Sequence, residues 1–328
     1  MVAVKASLLA SSEDLQRSSH NVSVVDGKAY VFGGELVPRE PRDNKIFSIS
    51  PNASTCSQVA VSGSAPTPRV GSASAVVGGK IYFFSGRGGI AMKPVEEHGA
   101  LWVLDTTSSS WASIEPEDKS SSVPPARSYH CMTSDGKNTV FLHAGCPESG
   151  RLSDLWSFDI SNKSWLKLAD APAPQRGGPS ITYLDGKLYR MNGFDGNTEQ
   201  GGKIDVYDIA KNEWSTINFE ADGRHGPEAR SVGTLLTLKV QGKDKLMTVF
   251  GEHDPSSLGH AGAGKMLNNC WLWDIESAQW EQADISGPNL PAPRGWFDAD
   301  VIDDSHVVVV GGLSETNERL NDAWVLSF

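Results

Sequence analysis

The sequence predicts an all-β protein built from six serial units, each of four short antiparallel strands. Three observations predict this. An arginine preceded by turn residues recurs at Arg17, Arg69, Arg127, Arg176, Arg230 and Arg294, at intervals of 52, 58, 49, 54 and 64 residues. A two-residue turn pair follows each arginine by about ten residues. In four of the units an Asp and a Trp then recur six apart, as Asp105 and Trp111, Asp159 and Trp165, Asp208 and Trp214, and Asp274 and Trp280. Periods of 20–50 residues signal solenoids, propellers or arrays.

Within a unit the elements follow in a fixed order. The turn pairs are Asp26-Gly27, Gly78-Gly79, Asp135-Gly136, Asp185-Gly186, Gln241-Gly242 and Asp303-Asp304. Such pairs tolerate the positive φ angles of a two-residue hairpin loop, so each joins a first strand to a second. The second strands are β-branched and aromatic, as in Ala29-Tyr30-Val31-Phe32 and Lys80-Ile81-Tyr82-Phe83-Phe84. Each ends in glycine, at Gly33-Gly34, Gly86, Gly145, Gly193, Gly251 and Gly311-Gly312, where backbones can crowd together. The Asp closes a third strand into a turn, and the Trp opens a fourth with a large apolar surface. Unit one departs here, with Ser50 and Cys56 at the two positions. No segment has a convincing helical period.

The last unit, 294–328, has chain for only three strands, and residues 1–16 are expected to supply its missing outer strand. That arrangement makes 1–328 a single closed domain, with only short protected edges.

Composition excludes several partners. With 29 Lys and Arg against 40 Asp and Glu the net charge is −11, the wrong sign for a phosphate backbone, so nucleic acid is excluded. The Val307–Val310 run is far short of the roughly 20 apolar residues that span a bilayer, so no membrane partner is expected. The first 17 residues lack a signal-peptide core. Four scattered cysteines, Cys56, Cys131, Cys146 and Cys270, form no Cys-x-x-Cys pair, which points to a reduced, cytoplasmic protein.

Function should lie where one unit departs from the others. The fifth unit carries an inserted loop, Glu252-His253-Asp254-Pro255-Ser256-Ser257-Leu258-Gly259-His260-Ala261-Gly262-Ala263-Gly264-Lys265. Gly259-x4-Gly264-Lys265 approaches a phosphate-binding loop, but Met266 and a strand follow where Ser or Thr and a helix are needed. Carboxylate and imidazole together suit a divalent transition metal such as ferrous iron. Glu252 and His260, with Asp254 or His253, are the candidate ligands. The structural alternative is a capped Asp254-Pro255-Ser256 turn with His260 bonded to backbone. The six repeat arginines are expected to be architectural, tying adjacent blades. His20 and His130 either face a central channel or are buried and satisfied.

Arginine, paired glycine and tryptophan at these offsets resemble the Kelch repeat, which implies a six-bladed β-propeller. The Glu252 loop resembles that of the plant glucosinolate specifier proteins (nitrile-specifier, thiocyanate-forming and epithiospecifier) and their Kelch relatives. These redirect an unstable aglucone, released by a thioglucosidase, towards nitriles, thiocyanates or epithionitriles. Their Fe(II) is attributed to a Glu-x3-Asp-x3-His motif; this chain reads Glu252-x3-Ser256-x3-His260, and Asp254 lies two positions early. The resemblance further implies that Arg87 and Arg151 hold a sulfate through planar, bidentate guanidinium groups. It also implies that Tyr129 and Trp296 wall the same pocket. The implied partner is a small anionic molecule. A protein-interaction scaffold is the alternative function, although no BTB or F-box segment is expected because blades account for all 328 residues. A galactose-oxidase-like copper site is disfavoured, since no Tyr/His cluster stands outside the blade pattern.

Overall fold

The computed structural model describes residues 2–51 and 54–328. Four strands in sequence order form each repeating sheet. The sheet Cys131–Ser134, Thr139–Gly145, Leu152–Asp159, Ser164–Leu168 is antiparallel throughout, and Thr139 faces Asp159 across its centre. Ala73–Val77 to Ser110–Ile114 and Ser180–Leu184 to Glu213–Asn218 repeat the plan. The first such sheet, Ser18–Val25 to Thr55–Val59, gains a short extra strand, Glu40–Pro41, on Lys28–Val37. Two short hairpins stand apart, Arg87–Gly88 with Lys93–Pro94 and Glu252–His253 with Lys265–Met266. The other strands form one eight-stranded sheet, in which Ala3–Ser11 runs parallel to Gln279–Ser286 on one side and antiparallel to Asp322–Ser327 on the other.

The arrangement is propeller-like. The first strands of the units lie side by side: Ser18–Val25 touches Ala73–Val77, then Cys131–Ser134, Ser180–Leu184, Thr234–Val240 and Asp298–Asp303 follow, and the last returns to the first. Apolar residues of successive sheets interlock between them, as where Tyr82 and Phe84 meet Leu142, Trp156, Phe158 and Trp165. Burying each such side chain stabilises the fold by about 1.5–3 kcal/mol. Trp111 and Trp165 are buried in these layers. Asp105, Asp159, Asp208 and Asp274 accept backbone N–H bonds from the turns that follow them.

Two rings of backbone hydrogen bonds close the circle. Two residues after every repeat arginine, Ser19, Gly71, Tyr129, Gly178, Val232 and Trp296 all adopt left-handed φ values between 45° and 62°. Each donates its N–H to the equivalent carbonyl of the preceding unit, from Gly71 to Ser19 (2.9 Å) round to Trp296 to Val232 (2.9 Å), and Ser19 to Trp296 (2.7 Å) joins the ends. In the second ring the glycine ending each second strand donates to the next unit's repeat-arginine carbonyl. Gly34 to Arg69 (2.9 Å) begins this ring and Gly312 to Arg17 (2.9 Å) completes it.

The arginine side chains serve a different joint from the expected one. Each guanidinium braces the start of its own unit. Nη1 donates to the end of the second strand, for example Arg17 to Gly33 (2.7 Å), Arg127 to Ala144 (3.0 Å) and Arg294 to Gly311 (2.9 Å). Nε donates to a carbonyl of the segment leading into the unit, as at Asp14, Pro125 and Ala292. Arg17, Arg69, Arg127, Arg230 and Arg294 also pair with Asp43, Glu97, Asp154, Glu228 and Asp322. The contact between units is made by the arginine's backbone carbonyl.

The channel enclosed by the first strands has a volume of about 420 Å³. Hydroxyl and amide pairs bridge it, including Ser23 with Ser74 (2.9 Å) and Asn21 with Ser72 (2.6 Å). Where the last unit meets the first, Asp298 and Asp300 accept the N–H groups of Val22 and Val24, each at 2.6 Å. His20 and His130 are buried, and neither ring nitrogen of either has a hydrogen-bond partner among the described residues. Burial pushes His20 down to about 3 and holds His130 well below the ordinary histidine value, so both are neutral.

Two outcomes test this closure. Burial raises Asp298 to about 7 and Asp300 to about 6. The folded chain therefore holds protons that the unfolded chain has released above pH ~4, and this contribution to stability disappears as the pH rises through 6–7. Between pH ~4.5 and ~8 the wild type should lose on the order of 1–3 kcal/mol relative to Asp298→Asn/Asp300→Asn in urea unfolding. Separately, Arg127→Ala leaves the buried Asp154 carboxylate unpaired and should cost about 3–5 kcal/mol. Arg127→Met/Asp154→Leu should recover most of that loss.

Candidate functional site at the channel mouth

The left-handed ring fixes what stands at one end of the channel. Left-handed φ is unfavourable for Tyr129, Val232 and Trp296, so the strain is held by the ring bonds and projects these side chains at the mouth. Gly71 makes room for one of them. A Cβ there would lie 2.8 Å from the Tyr129 ring, so only glycine lets the phenol lie across the ring. Tyr129 meets Trp296 edge to face, with centroids 5.3 Å apart and planes at 85°.

The inserted loop of the fifth unit reaches this pair. It is a hairpin in which Glu252–His253 pairs with Lys265–Met266, and a single 3-10 turn, Gly259–Ala261, lies near its tip. Asn317 Nδ2 donates to Ala261 O (3.1 Å) and Met266 N to Glu315 Oε1 (3.0 Å), which moor the loop to the neighbouring unit. His260 stacks on Tyr129 at 5.3 Å and 12°, and meets the edge of Trp296 at 5.3 Å. Partial burial and then the charges of Arg39, Arg87 and Arg151 push its pKa down. One edge of the ring stays exposed, so the arginine charges are the durable part of that shift.

Glu252 is buried, and its Oε1 accepts the Gly264 N–H at 2.8 Å. Burial raises its pKa; Trp296 lies near enough to favour the charged form, although its indole N–H makes no bond of ordinary geometry. Asp254 is exposed and pairs with Lys265 (3.3 Å) and His253 (3.4 Å). Ser256, where the family motif has a carboxylate, caps the turn at Leu258 N (3.1 Å). Glu252 and His260 thus both reach Trp296, while Asp254 is held by other partners. As placed, Glu252, Asp254 and His260 do not fit Fe(II) as a three-donor set. Among the described residues the trio whose donor atoms lie within 4.8 Å of one another is Glu220, Asp222 and His225, exposed on another loop.

Of the two expected arginines, Arg87 lines a pocket at this mouth, and Arg151 lies near enough for its charge to act on His260. Arg87, Tyr129 and His260 line one pocket of about 220 Å³ with Glu35, Arg39 and Met92. Arg87 spends three N–H groups on protein acceptors: Ser128 Oγ (2.7 Å), Met92 O (3.1 Å) and Pro147 O (2.8 Å). Arg151 stacks 5.0 Å over Phe194, and its buried Nε has no partner. Arg39, Arg87 and Arg151 make no ion pair among the described residues, in contrast to five of the six repeat arginines. The pocket's one acid, Glu35, is already committed to Arg319 (2.8 Å) and to the Arg39 N–H (2.7 Å). Arg39 and Arg87 line this pocket and Arg151 lies near enough to act on His260, although Asp195 and Glu199 also feel Arg151 and Glu148 feels Arg87. Cations held in no direct ion pair at one mouth attract an anion.

Sequence reasoning missed Arg39 and Glu199. Arg39 sits at the tip of the extra hairpin of unit one, a departure from the repeat like the one that drew attention to unit five. Glu199 hides both carboxyl oxygens without a partner. Burial pushes it up to about 8, helped by the charges of Glu252 and Asp195 and offset in part by Ser231 and Arg151. No local pattern marks it.

Comparisons with known proteins place the chain among Kelch-repeat proteins. The KLHDC2/KLHL20/DRC7 Kelch-repeats domain matches residues 19–251. An N-(sulfonatooxy)prop-2-enimidothioate sulfolyase of Thlaspi arvense is 28% identical over 94% of this chain and 91% of its own length. An F-box/kelch-repeat protein of Arabidopsis thaliana is 24% identical over 65% of this chain and 44% of its own. The host cell factor of Drosophila melanogaster is 26% identical over 63% of this chain and 16% of its own.

The electrostatics can be checked directly. In histidine-selective NMR, His260 should titrate below the ordinary histidine value. Removing one of the nearby charges, by Arg39→Gln or Arg151→Gln, should raise it. An unshifted His260, or no response to either substitution, would contradict the convergence of the three arginines.

Proposed function

Because the chain belongs to the Kelch-repeat family, we propose that residues 1–328 fold as one six-bladed propeller whose mouth binds a small organic anion and steers its breakdown in the manner of the specifier proteins. The eight-stranded sheet counts as two blades, the last completed by residues 1–16; Met1 lies outside the described residues. The ligand is a glucosinolate aglucone or a similar sulfated compound. One observation carries this reading: Arg39, Arg87 and Arg151, in no direct ion pair among the described residues, all act on His260 at a single mouth, in a chain of net charge −11. The Thlaspi arvense relative adds support, since its name specifies a sulfonatooxy substrate.

The roles follow from the contacts. Arg151, with a free Nε and an aromatic face behind it, is the main sulfate ligand. Arg87 adds charge while its three protein bonds hold neighbouring loops in place. Tyr129 and Trp296, with His260 above them, wall the cavity and keep the organic part dry. Sulfate departs between the arginines, and the walls fix the conformation of the remaining fragment, which selects the product. No step is assigned to iron, because the candidate donors as placed do not gather around one point.

Four free cysteines suit a reducing cytoplasm, and no helix is long and apolar enough to cross a membrane. The second reading, a non-catalytic interaction scaffold, rests on the F-box/kelch-repeat and host cell factor relatives. Recovery of one stoichiometric protein partner, with product ratios unaffected, would favour it.

The direct test supplies allyl glucosinolate and a thioglucosidase, with and without the protein. The protein should shift the product distribution, and Arg151→Gln should weaken the effect about ten- to hundredfold, the worth of a charge-assisted hydrogen bond. Product ratios identical to those of the protein-free reaction would contradict the specifier-like reading.

A further inference from the structure

Beside the arginine pocket runs a second, larger depression of about 940 Å³. Two hairpins form its walls. One is the extra hairpin of unit one, where Glu35 faces Pro41 and Val37 faces Glu40, with Arg39 at the turn. The other pairs Arg87–Gly88 with Lys93–Pro94. Thr67 and Pro68 also line the groove, and Gly88 approaches Pro68 O so closely that a Cβ would lie 2.9 Å away. The apolar lining comes from Pro38, Pro41, Pro68, Ile90, Pro94 and Val95. Ile90 is fully exposed, and Leu36 and Val37 are exposed on the same hairpin as Arg39.

A side chain exposed as completely as Ile90 contributes nothing to the core, and isolated examples need no explanation. Here the apolar groups are not isolated. They line a groove that shares Arg39 with the pocket of Arg87, Tyr129 and His260. Both hairpins are also anchored at the arginine end. Arg87 Nη1 holds Met92 O (3.1 Å), and Glu35 Oε2 holds the Arg39 N–H (2.7 Å). The groove is therefore the apolar continuation of the anion pocket, and Arg39 marks the junction.

We propose that the site takes an amphiphilic anion, with its charged head among Arg39, Arg87 and Arg151 and its apolar tail along the groove past Ile90. This rests on the anion-binding reading and deepens it, by naming the feature that selects among sulfated compounds. Arg39 is then the specificity-determining residue, because it touches both parts of the ligand. Compounds sharing one head group are ranked by the length of their tail.

Calorimetry with inorganic sulfate and with ethyl, butyl and hexyl sulfate separates head from tail. Inorganic sulfate should bind, and each added methylene should tighten binding about two- to threefold, less than full burial of a CH₂ would give. Ile90→Asp should flatten the chain-length series, read relative to inorganic sulfate on the same variant. Arg39→Gln should weaken every member of the series. If wild type binds sulfate but shows no chain-length gain, the groove inference is overturned and the anion reading stands. A gain that persists undiminished in Ile90→Asp overturns it equally, since the tail would then lie elsewhere. If no member binds, the anion reading itself fails.

Discussion

The structure depends on a circle of backbone hydrogen bonds around one end of a channel. Each unit contributes one residue with left-handed φ, and each of these donates its N–H to the unit before. The circle cannot close with units in arbitrary positions, so it sets their radial order. Carbonyls of the repeat arginines form a second circle with the glycines that end the second strands. The arginine side chains brace each unit internally, so that its carbonyl is correctly presented to its neighbour. Because four non-glycine residues of the circle must accept an unfavourable conformation, the mouth is one of the places where this fold holds strain. Two of the positions are glycine and relieve it, while Tyr129, Val232, Trp296 and Ser19 carry it and point their side chains at the opening.

That geometry explains why function collects at the mouth. The ring supplies a rigid floor bearing two aromatic groups, and departures from the repeat supply the walls. The hairpins at Arg39 and Arg87 and the loop carrying His260 all rise over the same end. Elsewhere the molecule pairs its buried arginines with carboxylates, Arg176 excepted. At the mouth it leaves three unpaired, against the sign of the whole chain, and commits the adjacent Glu35 to Arg319. His260, stacked on Tyr129 with its pKa pushed down, does not repel an anion and closes the cavity on its third side.

Much of this was legible in the sequence, for a physical reason. Strand, turn and glycine signals are local, and here they recur in register, so each unit corroborates the next. The strand order is observed, and of the residues singled out beforehand Arg87, Tyr129 and His260 line one pocket. Three things were not legible. The division of labour in the repeat arginines, side chain within a unit and carbonyl between units, depends on backbone direction that no residue type encodes. Asp254 lies within two positions of the motif's missing carboxylate, yet Lys265 and His253 hold it where the sequence alone suggests a ligand. Arg39 sits in a unit that lacks the Asp and Trp pair, which hid the significance of its extra hairpin.

The central claim is that the mouth is an anion site built by Arg39, Arg87 and Arg151 on the strained ring. Anomalous diffraction from crystals soaked in selenate tests it most directly. The account predicts an ordered selenium peak inside the pocket bounded by Arg39, Arg87, Tyr129 and His260, within hydrogen-bond reach of at least one of the three guanidinium groups. Peaks confined to the lysines of the outer strands, with that pocket empty, would contradict it.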